Sequence, residues 1–163
     1  MRERRAMSLK DELGLKMGFK TQAHEAILSI YFTASRIKKR ADRFFRDYGL
    51  TDVQFNLMML LKHQAGNKDG LSQVDLSRMM LVNRANITTL IDRMERSELV
   101  IRTSVPNDRR YNLIKLTDHG ETLLRRVEKA YRHEIGRIIG DLSESEIARV
   151  IGLLERVREN VEP

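Results

Sequence analysis

The sequence predicts a mainly α fold with a small two- to three-stranded β wing, and three features point to it. Long stretches toward both ends repeat apolar residues at helical spacing, and two short helical stretches lie between them. After those come two β-branched runs on either side of a polar turn.

The elements follow in order. Residues 1–20 hold six basic and three acidic side chains with no sustained period, and read as a mobile basic arm. Ile27, Ile30, Ala34, Ile37, Ala41, Phe44 and Tyr48 then recur at alternating steps of three and four, one apolar stripe along a long helix. Gly49 ends that helix. Thr51, with Gln54 three residues on, forms a capping box, and Phe55, Met58, Met59 and Leu61 supply the buried side of the helix it opens. Residues 64–70 are a loop by composition. Ser72 and Asp75 begin a short helix carrying Leu76, Met79 and Met80, and a second short helix carries Ile87, Leu90, Ile91 and Met94. Leu99-Val100-Ile101 and residues 111–116 are extended runs, with Pro106-Asn107-Asp108 between them as a hairpin tip. Thr117 caps a long helix that Gly140 closes, and Ser143 with Glu146 is a further capping box for the last helix.

Two short helices followed by a hairpin form a winged helix-turn-helix. The expected organisation is therefore an arm (1–20), a helical dimerisation lobe (21–48 and 118–163) and a winged DNA-binding lobe (49–117). The dimer contacts expected are Ile27, Ile30 and Ile37 on the first stripe and Ile147, Ile151, Leu154 and Val157 on the last. Tyr31, Phe32, Met58 and Met59 are candidates for a ligand pocket, although at helical spacing such residues more often serve as core.

Composition narrows the function. The formal charge is +7 and the pI about 9.9, which suits a polyanionic partner. Residues 118–163 run against this, with eight basic and ten acidic side chains, so the phosphate-contacting surface is expected upstream. Cysteine is absent, which excludes disulfides and thiolate metal sites. No apolar run approaches membrane-spanning length and no signal-peptide centre is present, so a cytoplasmic protein is expected. The sequence holds no phosphate-binding loop, nucleophile elbow or HExxH motif, so no enzymatic activity and no cofactor are expected. His24, His63, His119 and His133 include no pair at helical ligand spacing, and no metal site is assigned. A metal-responsive regulator of the same fold, or a basic helical module that binds proteins, is the alternative reading.

The candidate DNA-contacting residues lie on the second short helix and on the wing. With Ile87, Leu90, Ile91 and Met94 turned inward, the helix presents Asn83, Arg84, Ala85, Asn86, Thr88, Thr89 and Arg93 near its start and flanks. Asn pairs with adenine, Arg with guanine, and Thr meets phosphates or the thymine methyl. At the hairpin tip Arg109 and Arg110 are placed to enter the minor groove, with Asp108 orienting a neighbouring guanidinium.

Read together, Leu99-Val100-Ile101-Arg102, Asp108-Arg109-Arg110 and Leu116-Thr117-Asp118-His119-Gly120 resemble the signature of the multiple-antibiotic-resistance regulator (MarR) family. Residues 49–54 and 71–76 match the openings of its second and third helices, and the likeness runs from about residue 25 to 160. The resemblance implies a homodimeric repressor that binds a near-palindromic operator in double-stranded DNA and is released by a small aromatic or anionic effector. Two positions depart from the family pattern: Ser77 stands where Ala is frequent, a small residue that fits, and Glu98 stands where Gly is usual, so that a left-handed backbone there would strain it.

Overall fold

The computed structural model describes residues 7–66, 70–80, 84–105 and 108–161. Its elements are α1 (Leu9–Glu12), α2 (Gln22–Arg46), α3 (Asp52–Gln64), β1 (Leu71–Ser72), α4 (Gln73–Met79) and α5 (Arg84–Arg96), then β2 (Val100–Val105), β3 (Asp108–Leu116), α6 (Asp118–Ile139) and α7 (Glu144–Glu159). The three strands form one antiparallel sheet in the order β1-β3-β2.

Helices α1–α4, α6 and α7 each begin at a Ser or Thr that caps them. The Thr51 and Ser143 boxes are complete, with hydroxyl accepting from the third residue and the Gln54 or Glu146 side chain accepting from the cap backbone. Ser72 Oγ accepts from Asp75 N at 3.1 Å, and Thr117 Oγ1 from Gly120 N at 2.9 Å. These bonds satisfy backbone donors that the first helical turn leaves unpaired. Gly49 (φ 69°) turns the chain out of α2, while Leu50 N returns to Phe45 O at 3.0 Å.

One feature exceeds the sequence reading and another completes it. Within the N-terminal arm, residues 9–12 make one helical turn capped by Ser8, and Glu12 pairs with Arg36 of α2 at 3.2 Å. One turn is too short to show a period. The wing has the third strand that the expected two to three allow: Leu71 and Ser72 pair with Ile114 and Leu113. Ser72 thus serves the sheet and caps α4 together.

The core belongs to the winged lobe and to the ends of α2 and α6 that enter it. Leu57, Met58, Leu76, Ile87, Ile91, Met94 and Ile114 are wholly enclosed. Phe45 stacks on Phe55 at 4.7 Å between centroids, and Tyr131 of α6 stands 5.1 and 5.0 Å from the two rings. This aromatic cluster fastens both long helices to the lobe.

Away from that lobe the apolar stripes lie open. In α2 only Phe45 is buried, and α7 has no buried residue. Ile27, Ile37, Ile151 and Leu154 are exposed and Ile30, Ile147 and Val157 half-buried, in company with exposed Val150 and Leu153. Two amphipathic helices with uncovered apolar faces lack the burial that normally holds such helices in place.

Candidate nucleic-acid interface

Helix α5 is anchored by Ile87, Ile91 and Met94, each with no exposed surface. That fixes its rotation, so Asn86, Thr88, Thr89 and Arg93 are exposed. The structure divides them between two flanks. Asn86, Thr89 and Arg93 border a cleft of 510 Å³ whose other walls are Lys38 and Asp42 of α2 and the start of α3. Thr88 falls on the opposite flank. Asn83 lies outside the described residues, as do the side chains of Arg84, Ala85, Asp108, Arg109 and Arg110. The backbone of Asp108 sits at the start of β3, opposite Val105, where the register shifts after Ser104.

The wing is locked to α5 through Arg102 of β2. Its backbone N–H donates to Glu95 Oε1 at 3.1 Å, and its guanidinium bonds both Glu95 and Asp92. Asp92 and Glu95 stand three positions apart on one helical face, so a single planar fork reaches both. The sequence shows Arg102 only as a motif residue. Its role emerges once the hairpin folds back on the helix.

Gly120, from the Leu-Thr-x-x-Gly motif, explains how tightly the sheet meets α6. A Cβ there would stand 2.1 Å from the Leu99 carbonyl oxygen. Only a hydrogen fits between that strand end and the first turn of α6. On the same seam Thr117 Oγ1 donates to the Glu98 carbonyl. Glu98 itself adopts φ 54°, the strained left-handed turn that the family's usual glycine suggested.

Lys38 joins α2 to α3, pairing with Asp42 at 2.9 Å and Asp52 at 2.8 Å. Higher up, Arg40 and Arg137 both hold Glu134, whose side chain is 9% exposed. The Arg40 hydrogen bond, helped by both positive charges, keeps the Glu134 carboxyl below the usual carboxylate range against the effect of burial.

The four candidate pocket residues do not share one surface. Met58 is wholly enclosed in the core and cannot line an open pocket. Tyr31 is exposed on α2 and Phe32 half-buried, with the Arg36 guanidinium 4.7 Å from the Phe32 ring centre. Met59 instead lines a cavity of 430 Å³ between α3 and α4, with Leu60, Met79 and Met80 as its apolar wall and Asn56, His63 and Gln64 as its polar edge. Burial depends on which turn of α3 faces α4 and α5, and a Met-Met pair in sequence does not reveal that. Among the described residues no group of three or more His, Asp or Glu is placed to hold a metal ion, and no helix is long and apolar enough to cross a membrane.

Comparison with known proteins agrees with this geometry. The model of the MarR family matches residues 48–110, which span the winged lobe from the end of α2 to the wing tip. The regulator MhqR of Bacillus subtilis is 29% identical over 137 residues, covering 82% of this chain and 92% of that protein. Among solved structures, AbsC, a MarR family transcriptional regulator from Streptomyces coelicolor, superposes with a TM-score of 0.76 at 21% identity, covering 89% of this chain and 98% of that one. The S. aureus MepR–DNA complex gives a TM-score of 0.72 at 23% identity over 83% and 96% of the two chains. The winged lobe and its motif residues agree with these relatives: residues 48–110 match the MarR family, and the chain has the fold of MarR family regulators.

Proposed function

We propose that the protein is a transcription regulator that reads duplex DNA as a homodimer and carries no enzymatic activity. The observation that carries this reading is the orientation of α5. Its apolar residues are sealed in the core, its polar flanks are exposed, and Arg102 holds the wing beside it. MepR, of the same fold, has been solved bound to DNA. In this reading Asn83, Arg84, Ala85, Asn86, Thr88, Thr89 and Arg93 face the major groove and Arg109 and Arg110 the minor groove, with Asp108 orienting the wing arginines. The uncovered stripes of α2 and α7 supply the dimer contacts, so residues 21–48 and 118–163 act as the dimerisation lobe and 49–117 as the reading lobe. The protein acts in the cytoplasm, on the chromosome, as a repressor. Its effector is a small aromatic or anionic molecule, and the Met59 cavity is a suitable receptor. Thioether side chains adapt to flat rings, and Asn56 and His63 offer polar ends.

Selection of bound duplexes from a random pool at two salt concentrations tests the reading. An inverted repeat with half-sites about one helical turn apart is the expected outcome. A pool that stays random, with binding lost as salt rises, would leave only phosphate attraction and favour the protein-interaction module.

A further inference from the structure

The chain holds eight methionines and no cysteine, so any reaction at sulfur falls on a thioether. Their surroundings differ. Met1 lies outside the described residues. Met7 and Met17, before and after α1, are 65% and 82% exposed, so a change in their polarity costs the fold little. Met58 and Met94 are wholly enclosed in the core, out of reach of a solute. Met59, Met79 and Met80 combine access with packing. They line the 430 Å³ cavity between α3 and α4, where Met79 is 40% exposed and Met59 and Met80 are half-buried against the core.

Helix α4 has little besides this wall to hold it. It has seven residues, and among its described residues only Leu76 is buried. Met79 is its last residue and Met80 its C-cap, whose backbone N–H donates to the Leu76 and Arg78 carbonyls. Residues 81–83 then lead into α5. Met79 and Met80, across the cavity from Met59 and Leu60 of α3, therefore secure the end of α4 from which the chain enters the reading helix. Oxidation turns a flexible apolar thioether into a polar sulfoxide. Against Leu60 the new oxygen finds no donor, which costs free energy, whereas Asn56, His63 and Gln64 at the cavity edge carry N–H groups. Side chains drawn to that edge leave the contact between α3 and α4.

We propose that Met59, Met79 and Met80 form a reversible oxidation site for hypochlorous acid, whose sulfoxides loosen α4 from α3 and lower DNA affinity. The sulfur lone pair takes the chlorine and hydroxide is released; hydroxide then displaces chloride from sulfur and loses its proton. In sum, sulfur gains an oxygen and is oxidised, chlorine is reduced to chloride, and a proton is released. The return needs a dithiol, which becomes a disulfide while the sulfoxide oxygen leaves as water, the reaction that methionine sulfoxide reductases catalyse. The site needs no bound effector. Only its last step, the fall in DNA affinity, rests on the function proposed for α5.

Limiting hypochlorous acid added to the full chain tests it, with sulfoxides mapped by peptide mass spectrometry and hydrogen exchange and DNA affinity read on the same samples. Met79, Met80 and Met59 are expected to gain oxygen before Met58 and Met94, with amide exchange across residues 73–79 about ten-fold or more faster. Affinity for the duplex that the parent selects is expected to fall about ten-fold or more, and methionine sulfoxide reductases with a dithiol to restore both. In the variant Met59→Leu, Met79→Leu, Met80→Leu, which keeps an apolar wall of similar volume, the oxidant should change neither. Met79→Leu, Met80→Leu alone serves the same purpose if the triple variant fails to fold. Met7→Leu, Met17→Leu should respond as the parent does. Sulfoxide confined to Met7 and Met17, unchanged exchange in α4, a leucine variant as sensitive as the parent, or a change that the reductases do not reverse would each overturn the proposal. A parent that selects no duplex defeats the function proposed for α5, and exchange in α4 then decides the oxidation site by itself. A parent that selects one and keeps its affinity once oxidised overturns the proposal and leaves that function standing.

Discussion

Arg102 and Glu95 are joined twice: the Arg102 backbone N–H donates to Glu95 Oε1 at 3.1 Å, and its guanidinium bonds the same carboxylate while also reaching Asp92. One residue therefore ties the first strand of the wing to the helix that presents Asn86, Thr89 and Arg93. The orientation of the wing on α5 is set by this charge-assisted contact together with the core packing of Val100 and Ile114 against Ile87, Ile91 and Met94.

Arg102→Ala is expected to cost about 1–2 kcal/mol in urea unfolding. The lower part of the range applies because Asp92 and Glu95 are each more than a third exposed and water takes over part of the guanidinium's role. DNA affinity should fall further than this stability loss explains, as the wing loses its orientation. A double-mutant cycle with Glu95→Ala checks the coupling: additive losses would show that the pair acts through nothing it shares.

Glu98→Gly is expected to stabilise the fold. A left-handed backbone costs an L residue about 1–2 kcal/mol, and glycine returns part of this gain through its freer unfolded chain, leaving about 0.5–1 kcal/mol. Glu98 lies at φ 54° and its side chain is exposed, so little else is lost. A denaturation midpoint that stays the same or falls would show that the Glu98 side chain makes a compensating contact.

Gly120→Ala should do the reverse. The added methyl meets a backbone carbonyl at 2.1 Å, which is not a flexible side-chain end that could swing aside. Either β2 or the first turn of α6 must shift, at a cost of about 2–3 kcal/mol. Calorimetry reads the loss as a lowered Tm; an unchanged Tm would mean that the seam between sheet and helix is loose.

Glu134 gives a pH dependence of known sign. Its carboxyl is held below the ordinary value of 4.5, chiefly by the Arg40 hydrogen bond. A lowered folded-state value contributes stability that is fully present above the unfolded value and fades as pH falls through the folded one. Unfolding midpoints of the parent and Glu134→Gln should therefore differ at neutral pH and converge below about pH 4.5. A gap of constant size down to pH 3 would mean that the loss in the variant comes from packing rather than charge.

Much of the fold was legible in the sequence because its signals are local. Thr51, Ser72, Thr117 and Ser143 each cap the helix that follows them, since a hydroxyl one residue before a helical turn meets that turn's own backbone. The core side of α5 follows equally from the spacing of Ile87, Ile91 and Met94. The candidate site was legible in part. The exposed flanks of α5 were readable from a helical wheel, but the clamp on the wing was not, because Arg102 meets Asp92 and Glu95 only after the chain has reversed.

By itself, then, the sequence determined where helices start and stop, which of their faces are apolar, and that a net basic segment with a hairpin lies between two amphipathic ends. Tertiary structure alone decided that Met58 is core while Met59 lines a cavity, that Leu71 and Ser72 join the wing as a strand, and that Arg40 and Arg137 converge on Glu134. The first group depends on contacts within a few residues of each other, where period and backbone geometry fix the outcome. The second depends on which surfaces of distant segments meet, and that is chosen by the packing of the whole core.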